Sequence, residues 1–182
     1  NAKSLDPSAL GERFTGWAHG SVVNIVEEIR IKGDDKWRIM DRLKPFITNS
    51  MIQIEEKGRD HRTVPNFTNY LLLTNYKDAL PITNDDRRFC VMYGRIQNEQ
   101  ELFDFFGGRE QTADYFEHLF AESEKYAGVI KGFLLNYKIS DEFKASGRAP
   151  DTSSRQAMIQ ATISPEQCSV EDLINKHECS VV

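Results

Sequence analysis

Three short apolar runs in the first half of the chain predict strands of a parallel sheet. They occupy residues 21–26, 70–74 and 89–93, and the first is an almost unbroken β-branched series. Continuous runs of this kind are typical of strands buried on both faces. A helix is predicted across residues 36–43, between the first two runs. This order predicts an α/β core with an open sheet.

A hairpin is predicted between the first two of these strands. Residues 51–54 alternate apolar and polar side chains, and residues 63–65 follow a strongly charged stretch. Gly58 lies in the middle of that stretch, flanked by Lys57 and Arg59, and glycine favours the tight turn of a hairpin tip.

The second half of the chain changes to helical periodicity. Apolar side chains between residues 126 and 137 recur at spacings of three and four, which predicts packed helices. The aromatic members of these stripes are expected in the core: Phe116, Phe120, Phe133 and Tyr137. After a polar break, Thr152 or Ser153 is expected to cap a helix through residues 158–159. The predicted division is an α/β part over residues 1–95 and an α-helical C-terminal region over residues 96–182.

Composition limits the classes of protein and partner. The chain has 182 residues, 40% hydrophobic and 28% charged, which suits one domain or one domain with a small appendage. No apolar run approaches the roughly 20 residues of a membrane helix, so no membrane partner and a cytoplasmic location are expected. The net charge is −5, so any contact with DNA must be a local basic patch.

Cysteine and histidine offer no metal or disulfide framework. The three cysteines and four histidines are scattered, without CxxC or HExxH spacing, and are expected to be structural. Asn1-Ala2 look like the remainder of a tag-cleavage site, which predicts that the chain is a piece of a longer protein.

Polar residues directly follow the first two predicted strands. Glu27 and Glu28 follow the first strand, and Asn75 follows the second. Functional groups collect at the carboxyl ends of strands in open α/β sheets. Carboxylates there hold Mg²⁺ directly or through water, and a neighbouring carboxylate orients a water for attack on a phosphate. The asparagine is suited to hold that water or to sense a γ-phosphate.

Two arginines stand before the third predicted strand. Arg87 and Arg88 follow Asp86, and a guanidinium stabilises the charge that develops in phosphoryl transfer, often across a subunit boundary. A surface salt-bridge cluster is the alternative interpretation of these three residues.

The ordered set resembles the superfamily 3 helicases, in particular the phage and plasmid primase-helicases. Residues 22–30 resemble their Walker B strand, 46–69 the region of a DNA-contacting hairpin, 70–75 the sensor 1 motif and 86–88 the arginine-finger segment. The resemblance implies a partial P-loop NTPase (AAA+-like) sheet with a presensor hairpin, in a ring that is usually a hexamer. It also implies a DNA helicase active in replication, phage-encoded or in the cytoplasm of a bacterial host.

The same resemblance implies roles for single residues. Glu27 would coordinate Mg²⁺ of Mg-ATP, Glu28 would polarise the attacking water, and Asn75 would be the sensor. Either Arg87 or Arg88 would reach the nucleotide of the neighbouring subunit.

The resemblance places a DNA contact on the hairpin. The residues implied are Lys57, Arg59, His61 and Arg62. Acidic residues alternate with them in the sequence, so an ordinary solvated hairpin is the competing interpretation.

The phosphate-binding loop is missing from the sequence. It requires GxxxxGK[ST], and the nearest match, residues 11–16, is followed by Trp17 instead of lysine. ATP and Mg²⁺ are therefore expected to bind a longer parent, with no tight binding to this stretch. One alternative is a non-catalytic scaffold that binds nucleic acid or a partner. Another is a metal-dependent nuclease that uses Glu27, Glu28 and Asp34.

Overall fold

The computed structural model describes residues 1–30, 35–144 and 147–162. The chain forms two compact units. One comprises Asn1–Met92 together with the chain from residue 148 onward, and the other comprises Tyr93–Gly147. The units differ from the predicted division at residue 95, because the last described helix belongs with the first unit.

Among the described residues of the first unit, five strands form two sheets. They are β1 (Ala2–Leu5), β2 (Val23–Val26), β3 (Met51–Ile54), β4 (Arg62–Pro65) and β5 (Asn69–Leu72). One sheet has the order β1-β2-β5, with both pairs parallel. The predicted strands at 21–26 and 70–74 are therefore confirmed, whereas β1 was missed. Its sequence, AKSL, is too short and too polar to be recognised, and it pairs through its backbone with β2.

A buried polar network holds the amino ends of β2 and β5 together. Asn24 is fully buried in β2, accepts a hydrogen bond from the Ser21 hydroxyl at 2.6 Å and donates to the Trp17 carbonyl at 3.2 Å. Thr68, directly before β5, donates to the Ser21 carbonyl at 2.8 Å. Buried polar groups that are satisfied in this way fix one arrangement of the strands.

The predicted hairpin is confirmed. β3 and β4 pair antiparallel, with Ile52 opposite Val64 and both side chains turned into the core. Thr15 ties the base of the hairpin to the rest of the unit. Its backbone N–H donates to the Glu55 carbonyl, and its hydroxyl accepts from the Glu55 N–H, both at 2.9 Å.

Five α-helices complete the described structure. They are α1 (Asp35–Thr48), α2 (Glu99–Phe106), α3 (Arg109–Lys125), α4 (Ala127–Asn136) and α5 (Ser153–Thr162). In α1, Met40, Leu43 and Phe46 recur every three residues and form one buried face. Thr152 caps α5 as predicted, because its hydroxyl accepts from the Arg155 N–H at 3.0 Å. No helix in the described residues is long and apolar enough to cross a membrane.

The second unit consists of α2, α3 and α4. Asn98 caps α2 by accepting from the Glu101 N–H at 2.9 Å, and Gly107 ends it in the left-handed conformation. The expectation that the aromatic stripes form a core is wrong for Phe120, Phe133 and Tyr137, which are 68%, 63% and 61% exposed. Helical periodicity identified an apolar face correctly but carries no information on what covers that face.

The predicted strand at residues 89–93 is also wrong. No strand is assigned to these residues, although their backbone is described. The Ala149 N–H donates to the Arg87 carbonyl at 2.9 Å, and the Thr152 hydroxyl donates to the Val91 carbonyl. The segment is therefore held by the chain that leads into α5, and not by a neighbouring strand.

Candidate functional site

The carboxyl ends of β2 and β5 are joined by backbone hydrogen bonds. The Leu73 N–H donates to the Val26 carbonyl, and the Ile29 N–H donates to the Leu73 carbonyl, both at 2.9 Å. The two parallel strands therefore leave the sheet side by side. Glu27, Glu28 and Asn75 follow them at this edge, and all three are exposed. The structure thus brings the ends of two predicted motifs to one edge of the sheet, as expected of parallel strands.

Glu28 occupies an unusual backbone conformation. Its φ is +53°, and among the described residues it is the single non-glycine residue with a positive φ. A side chain in this left-handed region costs roughly 1–2 kcal/mol. The neighbouring Val26 and Ile29 are fully buried and fix the turn from both sides. Strain held in this way is frequent at functional sites, where it sets the direction of one side chain.

The acidic pair carries its charge without a neutralising neighbour. In the described part of the chain, neither Glu27 nor Glu28 forms an ion pair. Carboxylate oxygens that point into solvent are suited to Mg²⁺, which is commonly held by one or two carboxylates, several waters and phosphate oxygens. Among the described residues, no group of three or more acidic, histidine or cysteine side chains is arranged to hold a metal by itself. Asp34, the third member of the nuclease hypothesis, lies outside the described residues.

A cation near this edge was missed by the sequence analysis. The guanidinium of Arg30 lies over the ring of Tyr76, 3.8 Å from its centroid, and 3.7 Å from the Asp78 carboxylate. This stacking links the chain after β2 to the chain after Asn75, so it adds a second connection between the two strand ends. Nothing in the sequence pairs Arg30 with Tyr76, since the contact depends on the register of two strands.

The two candidate arginines differ in their surroundings. Arg88 lies 3.3 Å from the Asp86 carboxylate, which also accepts its backbone N–H at 2.8 Å. Asp86 is buried, and the Arg88 side chain is only 23% exposed. Arg87 is exposed and has no ion pair within the described ranges. The structure therefore makes Arg88 part of the local packing and leaves Arg87 extended towards solvent.

Arg155, which the sequence analysis did not select, holds the segment that carries these arginines. It projects from α5 and is 3% exposed. One of its amino groups donates to the carbonyls of Thr83 at 2.8 Å, Asn84 at 3.0 Å and Asp86 at 2.7 Å. A planar guanidinium with several donors suits this task. The sequence signal is weak: a charged residue just before the apolar pair Met158 and Ile159 in a short helix.

The four hairpin residues are exposed and run from the tip to the start of β4, but three of them lie beside a carboxylate. Arg59 and Arg62 both approach the Glu56 carboxylate, at 3.0 Å and 3.3 Å. His61 lies 3.8 Å from the Glu55 carboxylate. Lys57 stands next to Gly58, whose φ of +75° forms the turn at the tip. The positive potential of this loop is therefore concentrated at Lys57.

The first comparison with known proteins covers the sheet and the hairpin. A family model described as a family of unknown function (DUF5906) matches residues 1–88. A curated relative, the DNA primase-polymerase of Nitratiruptor phage NrS-1, is 20% identical over 137 residues. The chain is similar to a phage primase-polymerase. The matched stretch is 74% of this chain but 18% of that protein.

Solved structures show the same relationship at the level of the fold. The apo structure of the NrS-1 C-terminal region superposes with a TM-score of 0.67 at 18% sequence identity. A second apo form of that region gives 0.61. Each alignment covers 90% of this chain and 36% of the other. The similarity supports the phage primase part of the expected relationship, and the assignment to superfamily 3 helicases stays a prediction.

Proposed function

We propose that this chain is part of a longer phage-type replication protein, called the parent protein below, and that it contributes the water-activating edge of an ATP site that drives a DNA helicase. The observation that carries this proposal is the joined pair of strand ends. It places Glu28, in its left-handed turn, on the same edge as Asn75.

Each residue at this edge has a separate role in phosphoryl transfer. Glu27 would hold Mg²⁺, which would neutralise charge on the phosphates. Glu28 accepts a hydrogen bond from the attacking water and orients it. Asn75 donates its amide to the same water or to the γ-phosphate. None of these steps requires a buried charge, which agrees with the exposure of all three side chains.

Arg87 is the candidate for contact with the nucleotide of a neighbouring subunit. It is exposed, and Arg155 fixes the backbone of the segment before it. The family that the chain resembles usually forms hexameric rings. In such a ring, Arg87 of one parent subunit would reach the edge of the next subunit that carries Glu28 and Asn75. The hairpin tip at Lys57 would then contact DNA phosphates, a salt-sensitive interaction.

The test compares the parent protein with its Arg87→Ala and Arg88→Ala variants. ATP-dependent strand separation, the rate of ATP hydrolysis and the unfolding temperature are measured for each. Arg87→Ala should lower the rate of ATP hydrolysis by at least about 100-fold with little change in unfolding temperature, because a transition-state contact is lost. Arg88→Ala should lower the unfolding temperature instead, because the buried Asp86 carboxylate loses its partner. Equal turnover of Arg87→Ala and the wild-type parent would contradict the role of Arg87.

The scaffold alternative is favoured by one observation. Residues 11–16 span the end of one 3-10 turn and the start of another, away from any strand-to-helix loop, so they do not mimic a phosphate-binding loop. A parent protein that binds DNA but hydrolyses no ATP would establish this alternative and refute the helicase proposal.

A further inference from the structure

Two kinds of contact enclose the chain segments that carry the candidate residues. On the side of the sheet, the Leu73 N–H donates to the Val26 carbonyl, and the Ile29 N–H donates to the Leu73 carbonyl. On the far side, the Arg30 guanidinium lies over the Tyr76 ring. These contacts close a ring of chain made of residues 26–30 and 73–76. Every residue proposed to act on the nucleotide at this edge lies inside that ring.

Glu28 and Asn75 stand close in sequence to the stacked pair. Asn75 directly precedes Tyr76. Glu28 stands two positions before Arg30, and the intervening Ile29 is fully buried. Because so little chain separates each candidate residue from the stacked pair, a change in the contact between the two rings of atoms changes the direction of the carboxylate or of the amide.

The stacking is close, and a carboxylate supports it. The Arg30 Cζ lies 3.8 Å from the centroid of the Tyr76 ring, well inside the roughly 6 Å limit of a cation–π contact. The same guanidinium lies 3.7 Å from the Asp78 carboxylate. Its buried Nε has no hydrogen-bond partner within the part of the chain that the structure describes. The orientation of the guanidinium therefore depends on the ring face together with the carboxylate.

The loop after β5 holds Tyr76 in place for this contact. The Tyr76 N–H donates to the Thr74 hydroxyl at 3.0 Å, and the Ala79 N–H donates to the Tyr76 carbonyl at 3.4 Å. Ala79 and the next residue, Leu80, are both buried. The ring thus stands on a loop that is anchored on both sides, and it offers a fixed face to Arg30.

We infer that Arg30 is a positioning residue that acts through Tyr76. Their stacking holds Glu28 and Asn75 in the relative orientation that hydrolysis of ATP requires. Arg30 needs no contact with the nucleotide in this role. Alignment of reacting groups is worth large factors in rate, and a displacement of about 1 Å can cost roughly 100-fold. The inference rests on the proposed function, which assigns the attacking water to Glu28 and Asn75.

The test removes the ring face and keeps the rest of the loop. Tyr76→Leu deletes the aromatic face, whereas Tyr76→Phe keeps the face and removes only the hydroxyl. In the parent protein, Tyr76→Leu should lower kcat for ATP hydrolysis at least about tenfold, while the dissociation constant for a fluorescent ATP analogue changes less than about threefold. The unfolding temperature should fall by at most about 4 °C. Tyr76→Phe should keep at least about half of the wild-type kcat, because the ring face is what Arg30 uses.

A similar contact in the second unit serves as the control. Arg109 lies over the Phe103 ring, 5.5 Å from its centroid, and 3.4 Å from the Glu99 carboxylate. Phe103→Leu removes the same kind of contact from a unit that contains none of the residues of the candidate edge, so kcat should stay unchanged. Arg30→Leu should lower kcat as much as Tyr76→Leu. The two substitutions combined should lower kcat no further, because both remove one contact.

A second measurement needs no nucleotide. In the 182-residue chain, hydrogen exchange is followed by mass spectrometry on the peptides that cover residues 26–30 and 73–77. Exchange there should be at least about fivefold faster in Tyr76→Leu than in Tyr76→Phe, because the loss of the contact lets both segments open more often. The peptides of the hairpin, residues 51–65, should exchange at equal rates in the two variants.

Four outcomes would overturn the inference. Wild-type kcat in Tyr76→Leu would show that the stacking positions nothing. An equal loss in Tyr76→Phe would assign the effect to the hydroxyl. A loss of kcat matched by a loss of nucleotide binding would show a structural role alone. Equal exchange rates would show that the contact does not order the edge.

The same measurements separate this inference from the proposed function. A parent protein that hydrolyses ATP at the wild-type rate with Tyr76→Leu would leave the role of Glu28 intact and overturn the role of Arg30. A parent protein that hydrolyses no ATP would refute the proposed function. The exchange rates would then still support or overturn the ordering of this edge by Arg30.

Discussion

At the scale of the residue, Glu28 combines an exposed carboxylate with a strained backbone. The turn that strains it also places it at the joined ends of β2 and β5. A residue retained at such a position at the expense of stability is expected to serve function. Arg155 shows the opposite case, because its buried guanidinium holds a segment of backbone through one amino group and binds the Asp151 carboxylate through the other.

The strain at Glu28 predicts a gain of stability on substitution. Glu28→Gly in this chain should raise the free energy of unfolding by about 0.5–1 kcal/mol, because glycine adopts positive φ without steric cost. Urea unfolding followed by tryptophan fluorescence measures the change. Glu27→Gly is the matched control: its φ is not positive, so the same replacement should destabilise by about 0.5 kcal/mol. Loss of stability in both variants would refute the account of strain.

Tyr70 predicts a dependence of stability on alkaline pH. Burial raises the pKa of its phenol well above its ordinary value, to about 12. The unfolded chain loses this proton near pH 10 and the folded chain does not, so this contribution to stability falls as the pH rises from 10 towards 12. Tyr70→Phe should lose less stability than the wild type between pH 9 and pH 11, measured by urea unfolding. If Tyr70→Phe and the wild type lost the same stability between pH 9 and pH 11, Tyr70 would not be the group responsible.

At the scale of the element, the candidate site residues lie in the loops that follow short strands. Sequence patterns located β2, β5, the hairpin and α5, because buried strands and capped helices have local signatures. They missed β1, which depends on pairing with β2, and they predicted a strand at residues 89–93. The apolar composition of residues 89–93 led to that error, because an apolar run forms a strand only when a neighbouring strand supplies hydrogen bonds.

The candidate site was predicted only in part for the same reason. Glu27, Glu28 and Asn75 follow apolar runs, so strand order alone placed them at one edge. Arg30 on Tyr76, and Arg155 on three carbonyls, are contacts between distant segments. No local pattern encodes them, and the distinction between Arg87 and Arg88 likewise required the burial of Asp86.

The contact between α5 and the arginine segment predicts a specific loss of stability. Arg155→Lys should lower the free energy of unfolding by about 2 kcal/mol, because one ammonium group cannot bind the Asp151 carboxylate and reach the three carbonyls at the same time, which leaves the buried Asp86 carbonyl without its donor. Urea unfolding of this chain measures the loss. Arg59→Lys is the control, since its exposed ion pair with Glu56 should contribute less than about 0.5 kcal/mol. Equal effects of the two substitutions would contradict the structural role of Arg155.

At the scale of the whole molecule, the chain has the features of a part that requires more protein around it. Within the described residues, its parallel sheet has no neighbouring strand beyond β5, and α4 exposes apolar side chains such as Leu135, which is 75% exposed. Both units carry this surplus of apolar surface, in a chain that spans about a third of the solved region it resembles. The activity proposed here therefore belongs to the parent protein.

The most direct test of the account is ATP turnover by the parent protein with Glu28→Gln. Glutamine keeps the size of the side chain but cannot accept a proton from water or orient it as a carboxylate does. The account predicts that hydrolysis falls by at least about 100-fold, while the dissociation constant for a fluorescent ATP analogue changes less than threefold. Turnover equal to that of the wild type would contradict the central claim that this edge activates the water.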